Sequence, residues 1–250
     1  MMPGPILYCG DTDLTSAAGY LAGLMTSWGM PFEYVRSNEA IEEPRLSQAY
    51  SLIILSDYPA AMMPLSTQES LIDQVEAGAG LLMIGGWESF QGSGGDWDQT
   101  LVADALPVII GAEDDRLNFD QGAYLREAVA TAVTAGLPWR ERPPLIGGMN
   151  RLRAKPDTQT VMEALPLGTR FDAAGQLEMT TLNPIPALVL GQCEKGKTAA
   201  FGSDVAPHWV GGFVDWGNER VTAQANSAGS IEVGNWYAQF WRQLLESLAA

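Results

Sequence analysis

"LLMIGGWESFQGSGGDW", residues Leu81 to Trp97, is the stretch whose reading decides the fold. It passes from a short β-rich apolar run into a glycine-rich loop. A strand of this kind is buried on both faces of a parallel sheet, and the turn that follows is where α/β enzymes often place a nucleophile. Here that position is Trp87, which has no nucleophilic atom.

Outward from this stretch, the chain alternates strands with amphipathic helices. "PILYCG" (Pro5–Gly10) is an apolar strand, and "DTDLTSAAGYLAGLMTSWG" follows it with Leu14, Ala17, Ala18, Leu21, Leu24, Met25 and Trp28 at helical spacing. One of Asp11, Thr12 or Asp13 is expected to cap that helix and Gly29 to end it. "FEYVR" and "YSLIILSD" read as further strands, and "STQESLIDQVEAGAG" as a helix opened by a Ser66–Glu69 capping box. The order implies a doubly wound parallel α/β sheet. Past Trp97 the rhythm loosens. "DQTLVADAL" predicts a short helix, "PVIIGAEDD" an extended piece, "AYLREAVATAV" a helix, and "AGLPWRERPP" a loop. The pieces "RLRAK", "TQTVMEA", "QLEMTTL", "PALVLGQ" and "TAAFGSD" predict additional β-strands in the second half, with a hairpin turn at "CEKGK". "GNWYAQFWRQLLESLAA" closes the chain as an amphipathic helix. No linker or repeat divides the chain, so one domain over residues 1–250 is expected.

Composition bounds the function. Of 250 residues, 46% are hydrophobic, enough for a sizeable core, while 14 basic residues face 30 acidic ones for a net charge of −16. Such a surface repels phosphate backbones and anionic membranes, so neither nucleic acid nor membrane is an expected partner. No apolar run approaches the roughly 20 residues that span a bilayer, and "MMPGPILYCGDTD" lacks the basic and apolar regions of a signal peptide. Two cysteines, Cys9 and Cys193, make no disulfide framework, and a cytoplasmic location is expected. The single histidine, His208, excludes a histidine-rich metal site. "GDTD" and "AEDD" lack a cation-loop spacing and read as solvated turns or caps, while "GSGGDW" lacks the Gly-Lys-Ser/Thr ending of a phosphate loop. No metal or cofactor is expected. Cys9, ending an apolar strand, reads as a small buried hydrophobe.

"ILSDYPA", "GGWESFQG…TLVADALPV", "TAGLPW", "PPLIGGMNRL" and "GQCEKGKTAAFGSDVAPHW" ahead of "FWRQLL" together resemble, in order and spacing, the class I glutamine amidotransferase-like superfamily. Within it they are most similar to a glutamine amidotransferase family of about this length, related to trehalose-utilisation-type proteins. The resemblance implies a flavodoxin-like sheet with helices on both sides and a β-rich insertion or edge. It also implies a Cys nucleophile in G-x-C-x-G and a later His-x-Glu. Aligning Gly85-Gly86-Trp87-Glu88-Ser89 on the first motif puts Trp87 at the nucleophile. His208 is followed by Trp209 and Val210, so the second motif is absent too. Glutamine hydrolysis through a thioester is therefore not expected.

The remaining candidates lie where the carboxyl ends of the strands should meet. Ser89, His208 and Asp204 could form a hydrolase triad, or Glu88 could pair with Asp57 or Asp204 for acid–base work. The bland alternative has Ser89 capping a helix and His208 bonded within its loop. A binding site is the leading expectation: Asp57, Gly85, Gly86, Trp87, Glu88, Ser89, Asp204, His208 and Trp209 would hold a small polar, carbohydrate-like ligand at the carboxyl edge of the sheet. Trp97 and Trp216 would complete an aromatic and acidic wall. A structural or assembly role, with the aromatic loops and terminal helix as the contact of a homo-oligomer, is the other reading.

Overall fold

In a computed structural model that describes residues 4–249, the chain forms one ten-stranded sheet and a separate two-stranded hairpin. The elements of the first half are β1 (Ile6–Gly10), α1 (Ala18–Ser27), β2 (Phe32–Val35), β3 (Leu52–Ser56), α2 (Leu65–Ala77), β4 (Gly80–Ile84) and α3 (Leu101–Ala105). Those of the second half are β5 (Arg116–Glu127), β6 (Leu145–Asn150), β7 (Gln159–Phe171), β8 (Leu177–Thr181), β9 (Ile185–Cys193), β10 (Gly196–Phe201), α4 (Pro207–Val214), β11 (Arg220–Gln224), β12 (Ser230–Gly234) and α5 (Asn235–Leu248). Strand order is β2-β1-β3-β4-β10-β9-β7-β5-β6, with β8 paired on β7. The strands from β2 to β10 run parallel, and the rest antiparallel. The expected flavodoxin-like parallel sheet with additional strands in the second half is what the chain forms.

The parallel strands are buried on both faces, which is why they read as unbroken apolar runs. Along β1, Ile6 and Tyr8 face the core under α1, α4 and α5, while Leu7 and Cys9 face the core under α2 and α3. Cys9 is thus a fully buried strand residue whose thiol is pushed up by desolvation. Helix α5 buries Tyr237, Phe240, Trp241, Leu244, Leu245 and Leu248. Each such side chain contributes roughly 1.5–3 kcal/mol of burial. Phe201, Phe213, Phe240 and Trp241 meet edge-on or tilted at 5.3–6.1 Å, which locks α4 and α5 over β10.

Several local expectations differ from the structure. "AYLREAVATAV" holds good helix formers, yet Ala123–Glu127 finish β5, where Ala123 and Leu125 are buried between β6 and β7. Sheet pairing on both sides overrides the propensity. Helix α2 starts at Leu65, so Ser66 lies inside its first turn, and Pro64 O accepts the Thr67 and Gln68 amides in place of a capping box. Helix α1 starts at Ala18 without a side-chain cap; Asp11 supplies its main-chain carbonyl to Ala18 instead. Gly29, at φ +68°, ends that helix as expected.

Candidate functional site

The direction of each strand decides what gathers at one edge. β1, β3, β4 and β10 end there, and so does β6, because four antiparallel steps separate it from β10. β5, running the other way, begins there. At or just past those ends lie Asp11, Asp57, Gly85–Ser89, Asp204 and, as the last residue of β6 in the antiparallel wing, Asn150. Asp11, Thr12 and Asp57 sit at φ +53°, +66° and +47°. This left-handed region is uncommon for non-glycine residues and clusters at functional sites.

The elbow after β4 is shaped by close approach. Gly85 N–H donates to Phe201 O at 2.8 Å, prolonging the β4–β10 ladder by one residue. A Cβ there would lie 2.1 Å from Gly202 O, and one on Gly86 would lie 2.4 Å from Asp57 Oδ1. Two glycines are required for strand ends to approach this closely. Gly86 N–H then donates to Asn150 Oδ1 at 3.0 Å, and Asn150 Nδ2 donates to Asp115 Oδ1 at 2.7 Å. Asp115 also accepts the Gln91 and Gly92 amides, each at 3.1 Å. The fully buried Asn150 with Asp115 thus clamps both ends of the turn. Asp115 belongs to the "AEDD" run expected to be a solvated turn or a cap; three donors converge on it, two of them main-chain amides that it caps.

Four carboxylates share this edge. Asp11 is buried, accepts the Tyr8 hydroxyl, and is driven well above the usual carboxylate range by desolvation and then by Asp204 and Asp57. Asp204 keeps some exposed surface, but desolvation and Asp57 push it up to about 7 against the pull of the Val205 and Ala206 amides. Desolvation also raises Asp57, opposed by the Glu88 amide, which donates at 2.5 Å, and by the nearby His208. Glu88 is raised by desolvation and then by Asp57. With Asp204 titrating at about 7, one member of the cluster exchanges a proton near neutrality and can both donate and accept hydrogen bonds. At the same elbow Trp87 is half exposed, 6.2 Å from the His208 ring, with the Arg116 guanidinium 4.6 Å from its own ring centre.

The other expected residues are placed differently. The buried Ser89 hydroxyl donates to Ile84 O at 2.5 Å and accepts the Asp57 amide at 2.9 Å. It is a buttress for the elbow, and no hydrogen bond joins it to His208 or Asp204 among the described residues. Trp209 and Trp216 are buried and donate to Asn118 Oδ1 and Arg142 O, while Trp97 is a core residue bonded to Tyr58 O. The aromatic wall therefore reduces to Trp87 and His208. Asp11, Asn150, Asp115 and Arg116 complete the edge, and none of them was expected in the site. One signal could have found the first two: each is the first polar residue after an apolar strand run. Among the described residues no group of three or more His, Cys, Asp or Glu is arranged to hold a metal ion, and no helix is long and apolar enough to cross a membrane.

A family model described as "Putative glutamine amidotransferase" matches residues 16–232. The chain belongs to that family. Its fold is shared by two Salmonella typhimurium structures, "Cytoplasmic Protein STM3548" and "Cytoplasmic Protein STM1381". Each is 24% identical with a TM-score of 0.74; the matches cover 98% of this chain and 98% and 99% of those chains. The curated proteins contain no match. In this glutamine amidotransferase-like chain the nucleophile position of the elbow is occupied by Trp87, and Cys9 is sealed inside β1.

Proposed function

We propose that this family member binds a small polyhydroxy ligand at the carboxyl edge of its parallel strands and does not hydrolyse glutamine. The observation that carries the reading is the convergence of Asp11, Asp57, Glu88 and Asp204 at the elbow that carries the half-exposed Trp87. A sugar or polyol presents hydroxyls that partly protonated carboxyls can pair with, and an apolar C–H face that stacks on an indole. The absence of any thiol at the elbow supports the loss of the thioester route. A cytoplasmic location is supported by the descriptions of the two Salmonella proteins and by two unpaired cysteines.

Isothermal titration with sugars and polyols tests the proposal. Wild type is expected to bind at least one, and Trp87→Ala to weaken that binding at least tenfold while leaving the melting curve in place. No heat with any member of the panel, or ammonia released from glutamine, overturns it.

A second reading rests on Asp204. A carboxyl titrating near neutrality suits general acid–base catalysis on a bound ligand, with Asp57 or Glu88 as its partner. Hydrolysis of chromogenic glycosides that disappears in Asp204→Asn would favour this reading over simple binding.

A further inference from the structure

Beside Trp87 lies a cavity of about 420 Å³ lined by Arg116, Arg151 and Arg153. Three of the chain's 14 basic residues therefore meet at one place on a protein of net charge −16. The strand directions explain the meeting. Arg116 opens β5 and Arg151 follows β6, so both stand at the edge where the parallel strands end. The acidic residues of the same wall are mostly committed. Asp114 is held by both the Nε and Nη2 of Arg116, at 2.8–3.2 Å, and Asp115 is occupied by Gln91, Gly92 and Asn150. Glu113 is exposed on the rim. Among the described residues the Arg151 and Arg153 guanidinium groups have neither an ion-pair nor a hydrogen-bond partner. Gly111 makes room for one of them: a Cβ there would lie 2.7 Å from Arg153 Nη2.

We propose that this cavity is an anion subsite, in which Arg151 and Arg153 receive one carboxylate or phosphate group of the ligand. Planar guanidinium groups recognise both anions through paired N–H donors. The overall negative charge of the protein does not oppose this, because charges more than about 8–10 Å away are largely screened at physiological salt. Arg116 links the two parts of the site, since it lines the cavity and also lies over the Trp87 ring. The ligand class becomes an anionic polyol, such as a sugar acid or a sugar phosphate. This step rests on the polyol reading for the remainder of the ligand, and the subsite itself stands on the cavity alone.

The test titrates inorganic phosphate, D-glucitol, D-gluconate, D-glucose and D-glucose 6-phosphate into wild type, an Arg151→Gln/Arg153→Gln double variant and Trp87→Ala. Both arginines are exposed, so the double variant is expected to melt as wild type does. Anionic members should bind wild type at least tenfold more tightly than their neutral counterparts, and the double variant should lose that preference while keeping neutral binding. Gluconate binding without phosphate binding identifies the anion as a carboxylate, and the reverse as a phosphate. Neutral polyols binding as well as anionic ones overturns the subsite and leaves the polyol reading intact. Arginine-dependent phosphate binding with no polyol binding leaves the subsite and overturns the polyol reading. No binding by any probe overturns both.

Discussion

Asp204 shows how much one residue's surroundings matter. Its carboxyl is raised from the ordinary value of 3.8 to about 7, so the folded state binds a proton that the unfolded state has already released. A group raised in this way makes stability fall as pH climbs from about 4 to about 7, with no further loss from it above that. Asp204→Asn keeps the oxygen that accepts the Val205 and Ala206 amides and removes the charge. The variant is expected to be more stable than wild type at pH 8, by on the order of 4 kcal/mol, and the gap should close toward pH 4. Equal urea midpoints at pH 8 would show that the charge is not penalised there. A stabilising substitution of this kind is also where activity is commonly lost, because functional sites hold groups that the fold alone would not choose.

At the level of elements, the clamp between β6 and the elbow is the part most exposed to mutation. Asn150→Ala strands the buried Gly86 amide and removes a donor from Asp115. Unpaired buried groups cost roughly 1–3 kcal/mol each, so a loss of about 2–3 kcal/mol is expected in denaturant titration. Faster hydrogen exchange should be confined to residues 86–92, and an unchanged Gly86 protection factor would contradict the clamp. Gly85→Ala should be worse, at more than about 3 kcal/mol, because its Cβ would lie 2.1 Å from the Gly202 main-chain oxygen and would also crowd Asn150 Oδ1. The same elements show what was legible in the sequence. β1, β3, β4 and β10 announce themselves because strands buried on both faces are written as apolar runs. The ends of those runs gave Asp57, Glu88 and Asp204. β5 was hidden because its partners β6 and β7 come later in the chain, and helix-forming residues carry no mark of that pairing. Trp97, Trp209 and Trp216 could not be told from surface rings, since an indole is written alike whether its N–H meets ligand or a backbone oxygen. Arg116 and Arg151 needed strand direction, which only the completed sheet supplies.

For the whole molecule, the parallel half and the antiparallel wing divide the proposed site between them: carboxylates come from the ends of β1, β3, β4 and β10, arginines from β5 and the chain after β6. A circular dichroism melt followed in parallel with Trp fluorescence should give one shared midpoint, since the β9–β10 ladder and the Gly86–Asn150 hydrogen bond tie the halves. Separate midpoints would mean that the wing unfolds by itself and that the arginines are lost before the carboxylates. The pairing of Leu81 with Thr198 has a consequence for synthesis. Almost half of the chain must leave the ribosome between those partners, and contacts so distant in sequence form slowly. Until Phe201 has emerged, β4 presents an open apolar edge, Asp57 has no Asp204 beside it, and nascent chains stalled in that window are the ones expected to need a chaperone.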